Sequence, residues 1–223
     1  MNKFLASLIL VFILSSCSNN PEMETGEIQT LQLLKKAFDS SNKPKRFIDA
    51  RNLISRDQID AINIPILFVE LASGQNGTLT PYPGQGVGQT WLGADGATIT
   101  TEKGILKASR GMGDDLMGSS SSMPPWSKIN KKTKTYSREL SHITGNNKIS
   151  KRVFSCDIEK GSSEEQIEIW DTNFEVANFE EQCFNSSLTF KNTYQVDARG
   201  IVRSSLQYHS DTLGYITIER LDR

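Results

Sequence analysis

After Asn63 the chain holds no helix-period apolar segment longer than about ten residues. Short runs rich in β-branched and aromatic residues follow one another instead, separated by Gly, Asn and Asp. That pattern leaves little but an antiparallel sheet. Ile64–Leu71 opens the series as a buried strand, and Gln89–Leu92 continues it. Thr98–Thr101 and Ile105–Ser109 make a hairpin across Glu102-Lys103-Gly104. Residues 134–143 and 148–159 pair across Thr144–Asn147; Ile167 and Ile169 alternate in the next strand, and Phe174 and Val176 begin another. Three further strands fall near 187–197, 201–209 and 213–221. A sheet of about ten or eleven strands must curl or close to hide its edges. The expected fold is therefore mainly β: a strongly curved antiparallel meander or partly open β-barrel, with one or two short N-terminal helices on a face or edge.

Ser55-Arg56-Asp57-Gln58 has the form of a capping box before a short helix at 56–62. Upstream, Ile28, Leu31, Leu34 and Phe38 share one helical face over residues 27–38. Core packing is the first reading of that face. Lys35 and Lys36 suggest the membrane surface, but Glu27 weakens that case. Residues 111–125 read as a long loop with no apolar period, and 111–133 as the seam between two halves.

Residues 1–16 have the form of a signal peptide: Lys3, then an apolar run from Phe4 to Leu14. As a helix that run spans roughly 16 Å, well short of a ~30 Å bilayer core. It ends at Leu14-Ser15-Ser16-Cys17, which resembles the bacterial lipobox. The resemblance implies cleavage before Cys17, diacylation of its sulfur and acylation of the new amino terminus. Ser18 rather than an acid follows, which resembles the outer-membrane sorting default. Two or more acyl chains hold a protein to a bilayer where one does so only marginally. Residues 17–26 would be a lipidated tether and 27–223 a single β-rich domain.

In that oxidising compartment Cys156 and Cys183 remain as an even pair, read as a structural disulfide. In the entropy model such a closed loop is worth roughly 3–4 kcal/mol. Composition removes several other chemistries. Lys+Arg 25 against Asp+Glu 26 gives a net charge of -1, so nucleic acid is not a partner. Two histidines and three cysteines leave little for zinc, and no cofactor is implied. Asp114-Asp115, Glu164-Glu165 and Glu180-Glu181 read as solvated turns or faces, and His142 and His209 as surface or strand-edge residues. No Gly-x-Ser-x-Gly elbow occurs. The tryptophans carry the one sharper thought. Trp91, Trp126 and Trp170 read first as core or interface residues and second as contacts to a glycan or partner. Alternation would turn Trp170 away from Ile167 and Ile169.

Several phrases, in order, resemble the YjbF family of bacterial lipoproteins. They are Ser55–Ala61 leading into the strand at 64–71; Trp91 with Ala94-Asp95-Gly96; Thr101–Lys107 with Gly111–Leu116; and Phe190–Asp197 with Gly200, Ser204, Gln207 and Tyr215–Glu219. The resemblance covers about residues 50–221. It implies an envelope lipoprotein, not an enzyme, that assists exopolysaccharide or capsule secretion or assembly. It would be anchored in the outer membrane and face the periplasm. Its partners would be polysaccharide-export outer-membrane proteins, with the polysaccharide itself and a homodimer as further candidates. The alternatives are a lipid- or acyl-chain carrier, which requires a large apolar cavity, and a glycan-modifying enzyme, which requires convergent carboxylates.

Overall fold

The computed structural model describes residues 49–84, 86, 88–143 and 148–223. The signal segment, Cys17, the tether and the helix expected at 27–38 lie outside the described residues. A 3-10 turn at Ala50–Asn52 precedes the helix α1 (Arg56–Ile62). Ser55 and Gln58 form the reciprocal capping box, and Asn63 ends the helix in the left-handed region at φ 50°. Twelve strands follow: β1 (Leu67–Leu71), β2 (Asn76–Tyr82), β3 (Gln89–Gly93), β4 (Thr98–Glu102), β5 (Ile105–Arg110), β6 (Leu116–Ser121), β7 (Lys134–Ile143), β8 (Ile149–Ile169), β9 (Thr172–Phe184), β10 (Thr189–Asp197), β11 (Val202–Ser210) and β12 (Gly214–Arg220).

All belong to one sheet, ordered β5-β4-β3-β2-β1-β12-β11-β10-β9-β8-β7-β6. Among the described residues every neighbour is antiparallel, and only β1 with β12 joins strands that do not follow one another in sequence. The sheet curls until it is nearly closed into a barrel. β2 and β6 correct the expected strand count. Each buries only one side chain, Leu79 or Leu116, and β6 ends in serines, so neither shows an apolar alternation. Neighbouring ladders hold them extended. Ile167 and Ile169 belong to the same strand as Phe154; a register shift between Lys160 and Glu164 marks the bulge.

Inward side chains fill the barrel, among them Leu67, Val69, Trp91, Ile99, Leu140, Phe154, Phe179 and Ile216. A second apolar layer lies outside β1, where Ile59 of α1 meets Ile66, Phe68, Ile169 and Leu221. Trp170 closes that layer rather than turning away from it. Trp170 and Asp171 both have positive φ (51° and 57°), which breaks the alternation at the β8–β9 turn. The Trp170 ring packs edge-on to Phe68 at 5.3 Å, and its Nε1 donates to Ile54 O at 2.9 Å.

Glu181, read from sequence as a solvated charge, is fully buried. Its carboxylate accepts from Arg138 Nε (2.9 Å) and Nη2 (3.0 Å), Asn192 Nδ2 (2.7 Å), Tyr194 Oη (2.8 Å) and the Tyr136 hydroxyl. Asn192 Oδ1 then accepts the Tyr208 amide at 2.6 Å. The hub thus ties β7, β9, β10 and β11 together. Burial and the Glu181 charge push the Tyr136 and Tyr194 phenols up, so both stay protonated as donors. The Cys156–Cys183 disulfide, Cα–Cα 4.0 Å, lies beside it.

The two edges, β5 and β6, meet without a backbone ladder among the described residues. Side chains close the gap. Ser109 Oγ accepts the Leu116 amide at 2.9 Å and lies 2.7 Å from His209 Nε2. Arg110 donates to Leu116 O at 2.9 Å and Met117 O at 3.3 Å. Gln207 reaches across from β11, accepting the Leu106 amide at 2.8 Å and donating to Gly104 O at 2.9 Å. Both histidines are buried rather than on the surface, and His142 Nε2 donates to His209 O at 2.8 Å.

Two expectations follow from these buried groups. Arg138→Met leaves the Glu181 charge unpaired and should cost ~3–5 kcal/mol in urea unfolding. Adding Glu181→Gln keeps an acceptor for the phenols without the charge and should recover at least half of that; a double variant no better than the single one would deny the charge pairing. His209 supplies the second. Burial, and then the neighbouring His142, lower its pKa to about 4 from 6.5, against weaker upward pulls from Asp114 and Asp115. Below pH 6.5 the unfolded chain takes up a proton that the folded chain refuses until about pH 4. Stability present above pH 6.5 is therefore lost as pH falls toward 4, by roughly 3 kcal/mol. His209→Gln should flatten the unfolding free energy across that window; an unchanged slope would place the titration elsewhere.

Candidate functional site

Several side chains of catalytic type are closed off. Ser109 and His209 stand as a nucleophile–base pair would, yet they are 1% and 0% exposed. The serine oxygen already takes the Leu116 amide, and among the described residues His209 Nδ1 has no carboxylate to orient it. Cys156, Cys183 and Glu181 bring three ligand atoms within 4.8 Å, but sulfurs joined in a disulfide offer no thiolate to a metal. Asp115 spends its carboxylate on the Gly111 and Met112 amides, at 2.9 and 3.0 Å, holding the turn between the two edge strands.

Accessible chemistry gathers at one end of the barrel. Three neighbouring clefts open there among the described residues, of about 460, 390 and 130 Å³, and Lys103 borders all three. Lys103 is placed by the β4–β5 turn. It has φ 52° and Gly104 has φ 83°. A Cβ on Gly104 would fall 2.2 Å from Val202 Cγ2, so only glycine lets this tip press against β11.

The segment between β6 and β7 supplies the next wall. A 3-10 turn at Trp126–Lys128 drives Trp126 into the barrel end, with Ile129 following, while Ser127 and Lys128 stay outside. Trp126 packs on Phe179 and Tyr194 at ring distances of 5.0 and 5.1 Å. Its Nε1 donates to Lys103 O at 3.2 Å, which locks the two walls together.

The β10–β11 turn is the third wall. Asp197 Oδ1 accepts the Arg199 and Ile201 amides at 2.9 and 3.0 Å, and Oδ2 accepts from Arg203 Nε at 2.9 Å. Burial pushes the Asp197 carboxyl up, but the Ile201 amide and the Arg203 guanidinium outweigh it and hold it below the usual range. It is an ionised structural brace. Lys160, Glu164 and Glu175 complete the largest cleft, over a floor of Val176, Ala177, Phe179 and Val196.

Trp91 and Trp126 both reach this end, but as buried floor. Trp91 is 2% exposed, bonds Thr101 Oγ1 at 2.9 Å and lines the second cleft. Trp126 is 8% exposed and lines the first and third clefts. Trp170 lies in the outer layer with α1, away from all three. The rim residue missed from sequence is Lys103. Lys128, Lys131, Lys132 and Lys134, which fall within one short segment, were missed as well.

The fold resembles that of a crystal structure, the hypothetical lipoprotein YmcC from Escherichia coli K12. The TM-score is 0.65 at 21% identity, covering 77% of this chain and 90% of that one. No curated protein matches the chain. Residues 31–221 match the family described as "Group 4 capsule polysaccharide lipoprotein gfcB, YjbF". Its ordered motifs, its barrel and this match agree: the chain belongs to the YjbF family of group 4 capsule polysaccharide lipoproteins.

Proposed function

We propose that the protein is a non-enzymatic lipoprotein, tethered through Cys17 to the outer membrane and facing the periplasm, that assists capsule or exopolysaccharide secretion or assembly. It works by contact with the outer-membrane export proteins and the polymer. The observation that carries this reading is where the accessible groups lie. Interior positions that an acyl chain would need are occupied by packed side chains and the Glu181 hub. Buried carboxylate and histidine are spent on structure. Contact chemistry is left to the rim of the barrel and its outer surface.

The strand alternation also bears on how the protein meets the membrane. Outward positions of β8–β10 carry exposed Lys151, Glu159, Glu180, Gln182 and Lys191, interspersed with Ile149, Val153 and Phe184, around an interior that is largely apolar apart from the Glu181 hub and the polar groups at the β5–β6 closure. A lipid-embedded barrel has the opposite arrangement, apolar outside and polar inside. Attachment through a lipid rather than through the strands fits that surface.

Surface polysaccharide should be measured in wild type, in a deletion strain without a paralogue, and in the deletion complemented with Cys17→Ser. The polymer should be lost in the deletion and not restored by the unlipidated form. Rescue by Cys17→Ser would keep the secretion role and remove the need for the anchor. Unchanged polymer in the deletion would contradict the proposal.

A further inference from the structure

The clefts at the barrel end are framed by an unusual charge distribution. Lys107, Lys151, Lys160 and Lys191 each make an ion pair with a carboxylate. Lys103, Lys128, Lys131, Lys132 and Lys134 make none among the described residues, and all five are exposed. They sit together. Four belong to the segment that Trp126 and Ile129 anchor, and the Trp126 indole ties that segment to Lys103. Lys134 begins the inward side of β7 in line with Tyr136 and Arg138, so it stands at the rim beyond them. The Lys160 amide donates to Asn130 O at 2.9 Å, joining the same segment to the far wall of the largest cleft.

Acids in that cleft do not cancel this charge. Asp197 is held by Arg203 at 2.9 Å and Arg199 at 3.3 Å, and Glu164 is paired with Lys160 at 3.6 Å. Glu175 alone of the lining acids makes no ion pair. Beside the lysine segment, Asp157 and Glu159 of β8 accept from Thr135 and Thr133 at 2.6 and 3.2 Å and make no ion pair among the described residues, so with Glu175 they offset part of the five lysine charges and leave a smaller positive excess at this end. Five ammonium groups on a braced loop and hairpin, none of them in an ion pair among the described residues, outnumber the unpaired acids beside them and favour an anionic partner.

We propose that this rim is the binding site for an anionic polysaccharide, a polymer bearing regularly spaced carboxylates such as a polyuronate. The inference rests on the reading above that the protein acts in polysaccharide secretion, and it names the class of polymer and the site. A polymer fits better than a small anion. The cations are strung along a rim rather than converged on one point, and each offers a single flexible charge rather than a bidentate fork. Lys103 and Gly200 border both larger clefts, so a linear chain lying across the barrel end meets Lys103 midway. Trp126 contributes by fixing the loop, since its ring is already packed on Phe179 and Tyr194.

The test uses the purified full-length mature protein in detergent micelles, with polygalacturonate as probe and dextran as its uncharged counterpart. Polygalacturonate should bind, weakening steeply with added salt, and dextran should not. The pair Lys103→Glu and Lys134→Glu should reduce affinity by roughly tenfold or more. Lys103→Arg with Lys134→Arg should retain it, and an unchanged urea midpoint shows that both variants fold. Lys151→Glu with Lys191→Glu, on the outer wall, should bind as wild type. Equal binding of dextran, no binding of polygalacturonate, or equal losses from the rim and outer-wall reversals would each overturn the site. If the deletion strain still loses its polymer in those cases, the secretion role stands and only this inference falls.

Discussion

A twelve-stranded sheet has two edges of unpaired backbone groups, and everything else in this molecule depends on how they are brought together. β5 and β6 do not ladder to each other. An amide buried at such a junction without a partner costs about 1–3 kcal/mol. Here Ser109 takes the Leu116 amide, Gln207 takes the Leu106 amide and Arg110 covers two carbonyls. Closure here rests on side chains rather than on a backbone ladder. The β4–β5 turn leans onto β11 at Val202, and that lean puts Lys103 at the centre of the barrel end.

The Glu181 hub serves the opposite wall. It draws partners from strands β7, β9 and β10, and through Asn192 it holds the Tyr208 amide of β11. A buried charge pair of this kind contributes little net stability but penalises any register that separates its members. The disulfide adds a covalent link between β8 and β9 at the same level. A rigid wall here and a tip pinned on β11 together fix the positions of the loop and turn that frame the clefts.

Much of this was legible from residues alone. The capping box at Ser55 and Gln58 states the start of α1. The hairpin across Glu102–Gly104 and the three C-terminal strands follow from alternation and turn residues. β2 and β6 were illegible because their order comes from neighbouring ladders, not from their own Gly, Pro and Ser content. Glu181 was misread because its partners lie on strands far away in sequence; Glu180 beside it faces solvent, as alternation requires. His142 and His209 were misread for the same reason, since closure of the sheet is a long-range event. The lysines of 128–134 are visible in the sequence, but that they are unpaired and that their segment is tied to Lys103 depends on the fold, through Trp126 bonding to the β4–β5 turn.

The barrel is sealed at β5 and β6 by side chains. Residue-resolved hydrogen exchange on the Leu106 and Leu116 amides tests this most directly. Both should exchange within roughly one order of magnitude of the β9 and β10 core amides. Ser109→Ala should release Leu116, and Gln207→Ala should release Leu106, each without exposing the other. Fast exchange of both amides in the native protein would mean an open sheet with free edges, and the rim built on that closure would not exist.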